Sequence, residues 1–209
     1  MVSGKGLKIG IVNYSIGNVG SVYRAFQFYG YDVALLDRPK DLDAVDLIVM
    51  AGVGNFPVAA ARLKALHFWD ALNEAALIRK KAILGICLGM QLFGETSEED
   101  GETAGFGWIK GRVEKMKGEG LRVPHMGWNK VTPSDAHLFE GIRYHNFYFM
   151  HSYRFVPEQK EDVLATTVYQ NLTIASSLRK DNFIGLQFHP EKSQGDGLRL
   201  LKNIVESFA

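Results

Sequence analysis

The sequence predicts an α/β fold of three layers: a mostly parallel central sheet with helices on both faces and an antiparallel, β-rich extension in the second half. Three observations predict it. Short apolar runs alternate with helical patterns in the first half, glycines stand at helix ends, and turns divide the second half into short β-rich segments. We expect one domain over residues 7–209, preceded by a flexible tail at residues 1–6.

The first half of the chain has the pattern of strands that alternate with helices. Residues 7–14 are rich in Ile and Val, as buried strands are, and a helix is expected at about 19–29, ended by Gly30. Further strands are predicted at 31–37, 46–50 and 81–86, and further helices at 57–66, 68–79 and 88–96. Because parallel strands are joined by crossovers that usually contain a helix, this order indicates a parallel sheet.

The second half is predicted to extend this sheet with antiparallel or mixed pairing. Its β-rich segments lie between turns, at residues 107–117, 121–132, 146–156, 163–170, 172–179 and 182–189. A closing helix is predicted at about 195–207. The apolar residues that share one face of this helix are Leu198, Leu201, Ile204, Val205 and Phe208.

Composition and charge exclude several classes of partner. The 209 residues are 46% apolar and 22% charged, with a formal net charge of +1, so nothing favours nucleic acid or a membrane surface. A single cysteine cannot form an internal disulfide, which indicates a reducing compartment and a cytoplasmic location. No apolar run is long enough for a transmembrane helix, and the N-terminus has no pattern of a secretory signal.

Cys87 stands at a corner between a predicted strand and a predicted helix. The surrounding GICLG, residues 85–89, is the cysteine counterpart of the G-x-S-x-G nucleophile elbow, whose glycines let neighbouring backbone approach a strained turn. Thiols become nucleophilic as thiolates, which a helix N-terminus and a protonated histidine favour. The corner alone fits a nucleophile and an inert buried cysteine equally well.

His189 and Glu191 lie in a second motif, GLQFHPEKS, at residues 185–193. On a strand they point to the same face, where a carboxylate sets the tautomer of an imidazole and stabilises its protonated form. An isolated H-x-E is often only a surface pair. A metal site is not expected, because the helical H-E-x-x-H spacing is missing. Together the two motifs favour a Cys87–His189–Glu191 triad.

These motifs resemble those of the class I, or triad, glutamine amidotransferases. Within that family, four further stretches resemble motifs of the glutaminase subunits of imidazole glycerol phosphate synthases: Gly17-Asn18, AGVG at 51–54, PHMGWN at 124–129 and YFMHSY at 148–153. The resemblance covers residues 7–208. Two positions depart from the usual motifs, since Ala51 stands where proline is usual and Asn13 where aspartate is usual.

The resemblance implies a reaction and a set of site residues. Cys87 attacks the carboxamide carbon of L-glutamine, His189 protonates the leaving ammonia and then activates water, and Glu191 orients His189. An oxyanion hole is implied at the backbone N–H groups of Val53, Gly54 and Leu88. The implied glutamine-binding residues are Gly54, Gln91, Glu99 and Ser152. No cofactor and no metal are implied.

The resemblance also implies a partner. It implies a heterodimer with a (βα)₈-barrel cyclase subunit, which uses the ammonia to make imidazole glycerol phosphate and AICAR in histidine biosynthesis. The residues expected at or near that interface are Trp128, Asn129, Tyr148 and Lys192. Because glycine tolerates positive φ, the 51–54 loop can change its peptide orientation cheaply, which makes it a candidate switch.

Three alternatives remain open at this point. Ala51 and Asn13 fit a paralogous subunit that supplies ammonia for amidination of a nucleotide sugar in surface-polysaccharide synthesis. The same triad fits a cysteine hydrolase of peptides or γ-glutamyl compounds. A binding module that kept the fold without the chemistry is the third, although an intact triad argues against it. Release of ammonia from free glutamine tests the hydrolase alternative, and the neighbouring genes separate the paralogous subunit from one of histidine biosynthesis.

Overall fold

The computed structural model describes residues 6–134 and 136–209. The tail predicted at residues 1–6 lies outside the described residues, apart from the exposed Gly6. The described strands are β1 (Ile9–Val12), β2 (Val33–Leu36), β3 (Leu47–Gly52), β4 (Ala82–Cys87), β5 (Thr96–Ser97), β6 (Thr103–Ala104), β7 (Gly111–Lys115), β8 (His125–Pro133), β9 (Asn146–His151), β10 (Tyr153–Pro157), β11 (Val163–Tyr169), β12 (Leu172–Lys180) and β13 (Phe183–Leu186).

The helices lie largely where the periodicity predicts them. They are α1 (Val19–Gln27), α2 (Phe56–Ala65), α3 (Phe68–Asn73), α4 (Leu88–Gln91) and α5 (Gln194–Ser207). A π-helical turn, Glu74–Ile78, continues α3. Short 3₁₀ turns occur at Pro39–Ala44, Lys160–Asp162 and Pro190–Lys192.

The large sheet has nine strands in the spatial order β2-β1-β3-β4-β13-β12-β11-β8-β9. The first five strands in this order, β2, β1, β3, β4 and β13, pair parallel with their neighbours. The remaining pairings, from β13 through β12, β11 and β8 to β9, are antiparallel. This arrangement confirms the predicted α/β sheet with an antiparallel extension. It also sets β4, which ends at Cys87, directly beside β13, which leads to His189.

Helices cover both faces of the sheet, which explains why its parallel strands are apolar almost throughout. Along β3, Leu47 and Val49 pack with α1 and α5 on one face, whereas Ile48 and Met50 pack with α2 and α3 on the other. The alternation follows from the two-residue period of a strand.

One predicted segment and part of another join a separate small sheet instead of extending the large one. Segment 107–117 contributes β7, and segment 146–156 breaks at Ser152 into β9 and β10. Strands β10 and β7 pair with each other in a four-stranded sheet of order β10-β7-β5-β6. For β7 and β10 the predicted membership in the large sheet is wrong, because Val113 and Phe155 of these strands pack into the core on the α2–α3 face.

The helix predicted at 88–96 ends at Gln91. Beyond it the chain turns towards the small sheet, where the N–H of Glu95 donates to the carbonyl of Gly111 at 2.9 Å. A Cβ on Gly94 would lie 2.9 Å from the Phe155 ring, so the turn is tightly packed against β10. The segment 88–96 therefore forms only one turn of helix, because its second part pairs with the small sheet.

Candidate functional site

Cys87 occupies the predicted strand-to-helix corner in a backbone conformation that is rare for L-residues, with φ 54° and ψ −107°. The flanking glycines make the corner possible. A Cβ on Gly85 would lie 2.6 Å from the Phe93 ring, and one on Gly89 would overlap the carbonyl oxygen of Met50. A positive φ at a residue other than glycine is typical of functional positions. The corner thus has the geometry of a nucleophile elbow.

His189 and Glu191 form a buried pair beside this corner. His189 follows β13, Glu191 lies in the 3₁₀ turn after it, and His189 Nδ1 donates to Glu191 Oε1 at 2.9 Å. Both side chains are only 2% exposed. The main chain anchors the pair to β9, because the N–H of His189 donates to the carbonyl of Tyr148 at 2.8 Å. A carboxylate accepts only, so Nδ1 carries a proton and Nε2 is the ring nitrogen that Glu191 leaves free.

The electrostatic surroundings favour a protonated His189. Burial lowers the pKa of its imidazole, but the Cys87 sulfur and the Glu191 carboxylate together outweigh burial and raise the pKa to about 10. Within the described residues, His189 Nε2 is buried without a hydrogen-bond partner of normal geometry, so its interaction with Cys87 is chiefly electrostatic. A protonated imidazole next to a cysteine is one of the settings that favour a reactive cysteine.

A pocket of about 250 Å³ opens at Cys87. All the residues predicted for the oxyanion hole and for glutamine binding line it: Val53, Gly54, Leu88, Gln91, Glu99 and Ser152. The structure also places Pro124, Met150, His151 and Tyr153 in its wall. Residues from both halves of the chain therefore converge on the sulfur.

The 51–54 loop is packed against the first loop of the chain. A Cβ on Gly17, where φ is +111°, would lie 2.7 Å from the Cα of Gly52, and a Cβ on Gly52 would overlap the hydroxyl of Tyr14. Gly54 has φ +136° and ordinary space around it, so its backbone angle alone calls for glycine. The contact explains why the first loop carries a glycine of its own.

The two departures from the family motifs have simple structural settings. Ala51 is buried within β3 and pairs in register with Ile86. The side chain of Asn13 donates to Asp37 Oδ1 at 2.8 Å. Neither residue lines the pocket at Cys87.

Glu99 is held at the pocket wall by the start of α2. Its Oε2 accepts from the N–H of Phe56 at 2.8 Å, and Asn55 caps the same helix by accepting from the N–H of Val58 at 3.1 Å. Burial raises the pKa of the Glu99 carboxyl, and the nearby Asp100 adds to the rise, while the Phe56 N–H opposes it. The position suits a carboxylate that receives an ammonium group, because the pairing would recover the free energy that burial costs.

Gln91 and Gln187 form an amide pair behind the sulfur. Gln91 Nε2 donates to the carbonyl of Tyr153 at 2.9 Å and to Gln187 Oε1 at 3.2 Å. The Gln187 side chain is fully buried, with Nε2 3.8 Å from Cys87 Sγ. Sequence reasoning did not single out Gln187, although a polar residue directly after the apolar strand β13 is a signal of a site.

Three of the four residues expected at a partner interface lie together on the β8–β9 face. Trp128 and Tyr148 pair in register, with ring centroids 6.1 Å apart, and Lys192 Nζ lies 5.7 Å from the Tyr148 ring. Trp128 is 45% exposed. The side chain of Asn129 points instead towards His125 and β11, because successive side chains alternate between the faces of a strand.

Over residues 6–134 and 136–209, no group of three or more His, Cys, Asp or Glu side chains is placed to hold a metal ion. Within the same ranges, no helix has both the length and the apolar character needed to cross a membrane.

Comparison with known proteins places this geometry in context. A family model described as glutamine amidotransferase class-I matches residues 11–207. A protein of Campylobacter jejuni named imidazole glycerol phosphate synthase subunit HisH 1 is 44% identical over 200 residues, which cover 94% of this chain and 98% of that protein. The subunit HisH of Moorella thermoacetica is 44% identical over 200 residues, covering 95% of this chain and 94% of its own.

Similarity to solved structures extends over the whole described fold. A crystal structure of a glutamine amidotransferase matches with a TM-score of 0.76 at 16% sequence identity, over 96% of this chain and 98% of that one. At this identity the match supports the fold alone.

Proposed function

This chain belongs to the class-I glutamine amidotransferase family, and from that premise we propose that it is the glutaminase subunit of an imidazole glycerol phosphate synthase. It hydrolyses L-glutamine to glutamate and ammonia, and the ammonia passes to a cyclase subunit. The observation that carries the proposal is the strained Cys87 corner beside the buried His189–Glu191 pair. The names of the relatives that match nearly the whole chain support the pathway.

The proposed mechanism uses the triad in two stages. Cys87 thiolate attacks the carboxamide carbon of glutamine, and His189 Nε2 delivers its proton to the departing ammonia, which leaves a glutamyl thioester. Neutral His189 then takes a proton from water, whose oxygen attacks the thioester and releases glutamate. Glu191 holds the imidazole by Nδ1 throughout, as its 2.9 Å hydrogen bond indicates.

Backbone groups stabilise the negative oxygen that forms in both stages. The N–H of Leu88 follows the nucleophile, as in other elbows, and an N–H of Val53 or Gly54 supplies the second donor. Glu99 receives the ammonium group of glutamine, and Gln91, Gly54 and Ser152 complete the wall around it.

The proposal includes a cytoplasmic heterodimer with a (βα)₈-barrel cyclase, docked on the β8–β9 face. Support comes from the exposed Trp128, from Met126 beside it on the same face, and from Lys192 at its edge. Aromatic, Met and basic side chains that remain exposed together are typical of interfaces.

The decisive experiment is the Cys87→Ala variant in complex with the cyclase subunit. We expect glutamine-dependent formation of imidazole glycerol phosphate to fall to background, because no nucleophile remains, while the ammonia-dependent reaction of the cyclase stays within about twofold of wild type. Product formation from each nitrogen source measures both.

A Ser3→Ala variant of the N-terminal segment serves as control and should retain both reactions. Retained use of glutamine by Cys87→Ala would overturn the mechanism. If the wild-type chain hydrolyses glutamine but supplies no ammonia to the cyclase, the paralogous role in nucleotide-sugar amidination takes its place, with which Ala51 and Asn13 are also compatible.

A further inference from the structure

A continuous line of hydrogen bonds leads from the Cys87 sulfur to the strands of the β8–β9 face. Its inner half consists of side-chain amides. Gln187 Nε2 lies 3.8 Å from Cys87 Sγ, and Gln187 Oε1 accepts from Gln91 Nε2 at 3.2 Å. Gln91 Nε2 also donates to the Tyr153 carbonyl at 2.9 Å. Because a carbonyl can only accept, this last bond sets the orientation of both amides and turns the donor of Gln187 towards the sulfur.

The outer half consists of two histidines. His151 Nδ1 lies 2.8 Å from the same Tyr153 carbonyl, so Nδ1 must carry the proton and Nε2 must be an acceptor. His125 Nδ1 lies 3.0 Å from His151 Nε2 and therefore donates to it. His125 Nε2 is then an acceptor as well, and Asn129 Nδ2 donates to it at 3.2 Å.

Asn129 sets the same direction independently from the other end. Its Nδ2 also donates to the carbonyl of Val168 at 3.0 Å, and its Oδ1 accepts from the N–H of Lys130 at 2.8 Å. Backbone groups thus identify which atom of the Asn129 amide is nitrogen. The Tyr153 carbonyl at one end of the line and the Asn129 amide at the other both require the Nδ1–H tautomer at His125 and at His151. With these tautomers, each hydrogen bond along the line has one donor and one acceptor.

The surroundings keep both imidazoles neutral, as this line requires. Each is buried, and His125 is stacked between Phe149 and Tyr169, with ring centroids 4.4 and 4.0 Å away. Burial lowers the pKa of His125 to about 4 and that of His151 to about 3. An added proton on either ring would place two donors face to face.

We propose that Gln187 and the His125–His151 pair are positioning residues of the glutaminase reaction. Gln187 donates to the Cys87 sulfur and favours its anionic form. The histidine pair helps to position the Gln187 amide, because His151 binds the same Tyr153 carbonyl that orients Gln91 and, through Gln91, Gln187. The inference rests on the proposed function. Since Asn129 adjoins Trp128 in β8, the line also connects the proposed docking face with the nucleophile.

The tautomers can be measured on the unmodified full-length chain by ¹⁵N NMR of its imidazole groups. We expect His125 and His151 to be neutral and protonated at Nδ1 at pH 7, since the other tautomer breaks the line. This measurement needs neither glutamine nor a partner. A signal for Nε2–H or for an imidazolium at either residue overturns the proposal.

Alkylation of Cys87 by iodoacetamide tests the donor role of Gln187. The ionisable groups that interact with Cys87, namely His189, its partner Glu191, and Tyr14, stay in place in Gln187→Leu. We expect the pH of half-maximal alkylation rate to rise by about one unit in this variant, because the thiolate loses a hydrogen-bond donor. An unshifted profile in a folded Gln187→Leu chain overturns the proposal.

Two variants on neighbouring strands test the outer half. Asn129→Leu removes the terminal donor of the line, and Asn146→Leu makes the same change on β9, outside the line. We expect the alkylation profile of Asn129→Leu to shift in the same direction as that of Gln187→Leu but by less, and that of Asn146→Leu to remain in place. Equal profiles for the two variants overturn the coupling.

The kinetic signature separates this inference from the proposed function. With glutamine, we expect Gln187→Leu to lower kcat about tenfold and to leave KM within twofold, because the donor of the amide faces the sulfur and the Tyr153 carbonyl still holds Gln91 in the substrate's wall. A rise in KM with unchanged kcat overturns the positioning role. Failure of the Cys87→Ala experiment, with the NMR and alkylation results as expected, would overturn the proposed function alone.

Discussion

The backbone at Cys87 is held in its strained conformation by the packing around it. Gly85 and Gly89 lie against ring and main-chain atoms that leave no room for a Cβ, so strand β4 and helix α4 meet at a tight angle. Positive φ at a cysteine costs on the order of 1–3 kcal/mol and persists only where the surroundings enforce it. The glycines therefore contribute to activity by shape and not by chemistry.

This packing predicts the effect of Gly89→Ala. Its Cβ would overlap the carbonyl oxygen of Met50, which belongs to β3 and cannot move without shifting the sheet. We expect a loss of at least about 2–3 kcal/mol in the free energy of unfolding and loss of glutamine hydrolysis. Urea denaturation and an ammonia-release assay measure the two effects.

Gly195→Ala is the matched control within helix α5. Nothing lies within 4 Å of a Cβ at Gly195, so alanine should raise stability by about 0.5 kcal/mol through helix propensity. Equal stabilities of the two variants would contradict the packing argument.

The residues of the site differ in how well local sequence patterns predict them. Cys87, His189 and Glu191 sit in short motifs whose spacing already implies an elbow and an imidazole–carboxylate pair. Gln187 acts on a sulfur 100 positions away in the chain and on Gln91 at a separation of 96. Such partners meet only because β13 pairs with β4, a pairing that no local pattern specifies.

At the scale of elements, the 51–54 loop has glycines on both sides of Val53, and glycine tolerates a change of peptide orientation. Gly52 and Gly54 flank Val53, and Gly54 already has φ +136°. A change in the orientation of the peptide before Val53 would add or remove an oxyanion donor, which is typically worth 10²–10³ in kcat.

We therefore expect the isolated chain to hydrolyse glutamine roughly a hundredfold more slowly than the complex with the cyclase. Ammonia release with and without a saturating partner measures the difference. Equal rates in the two preparations would show that the loop is complete without a partner.

The β8–β9 ribbon predicts a second element-scale effect. Trp128 is a large side chain that remains 45% exposed on that ribbon, so Trp128→Ala should weaken binding of the cyclase about tenfold or more. Isothermal titration calorimetry gives the Kd. Phe28→Ala, which removes an exposed ring beyond the C-terminus of α1, should leave the Kd unchanged. The same loss for both variants would argue against docking on this face.

Element boundaries were predictable where the pattern is long and local. The parallel strands and helices α1, α2 and α5 lie within a few residues of their predicted positions. The end of α4 and the assignment of β7 and β10 to a second sheet were not predictable. They depend on Gly94 and Phe155 meeting across the molecule, and amphipathic periodicity carries no information about that contact.

For the whole molecule, the buried histidines predict sensitivity to acid. The pKa values of His125 and His151, about 4 and about 3, lie below the ordinary value of 6.5, so only the unfolded chain takes up protons as the pH falls below 6.5. The stability that depends on these two groups is full above pH 6.5 and falls as the pH drops towards 4, by about 1.4 kcal/mol per pH unit for each proton.

Urea denaturation between pH 7 and pH 4.5 measures this slope. His125→Phe keeps a ring between Phe149 and Tyr169 but removes one of the two protons, so its stability should depend less steeply on pH than that of the wild type. Other titrating groups contribute equally to both proteins. Parallel curves would contradict the burial of a neutral His125.

By itself, the sequence determined the α/β class, the helical and β-rich halves, the corner at Cys87 and the His189–Glu191 pair, because each depends on residues close together in the chain. Only the tertiary structure decided which groups surround the sulfur, which strands form the second sheet, and how Asn129 is connected to Gln187. Those relations depend on contacts between residues far apart in the chain, and such contacts exist only when strands β4, β13, β8 and β9 are assembled.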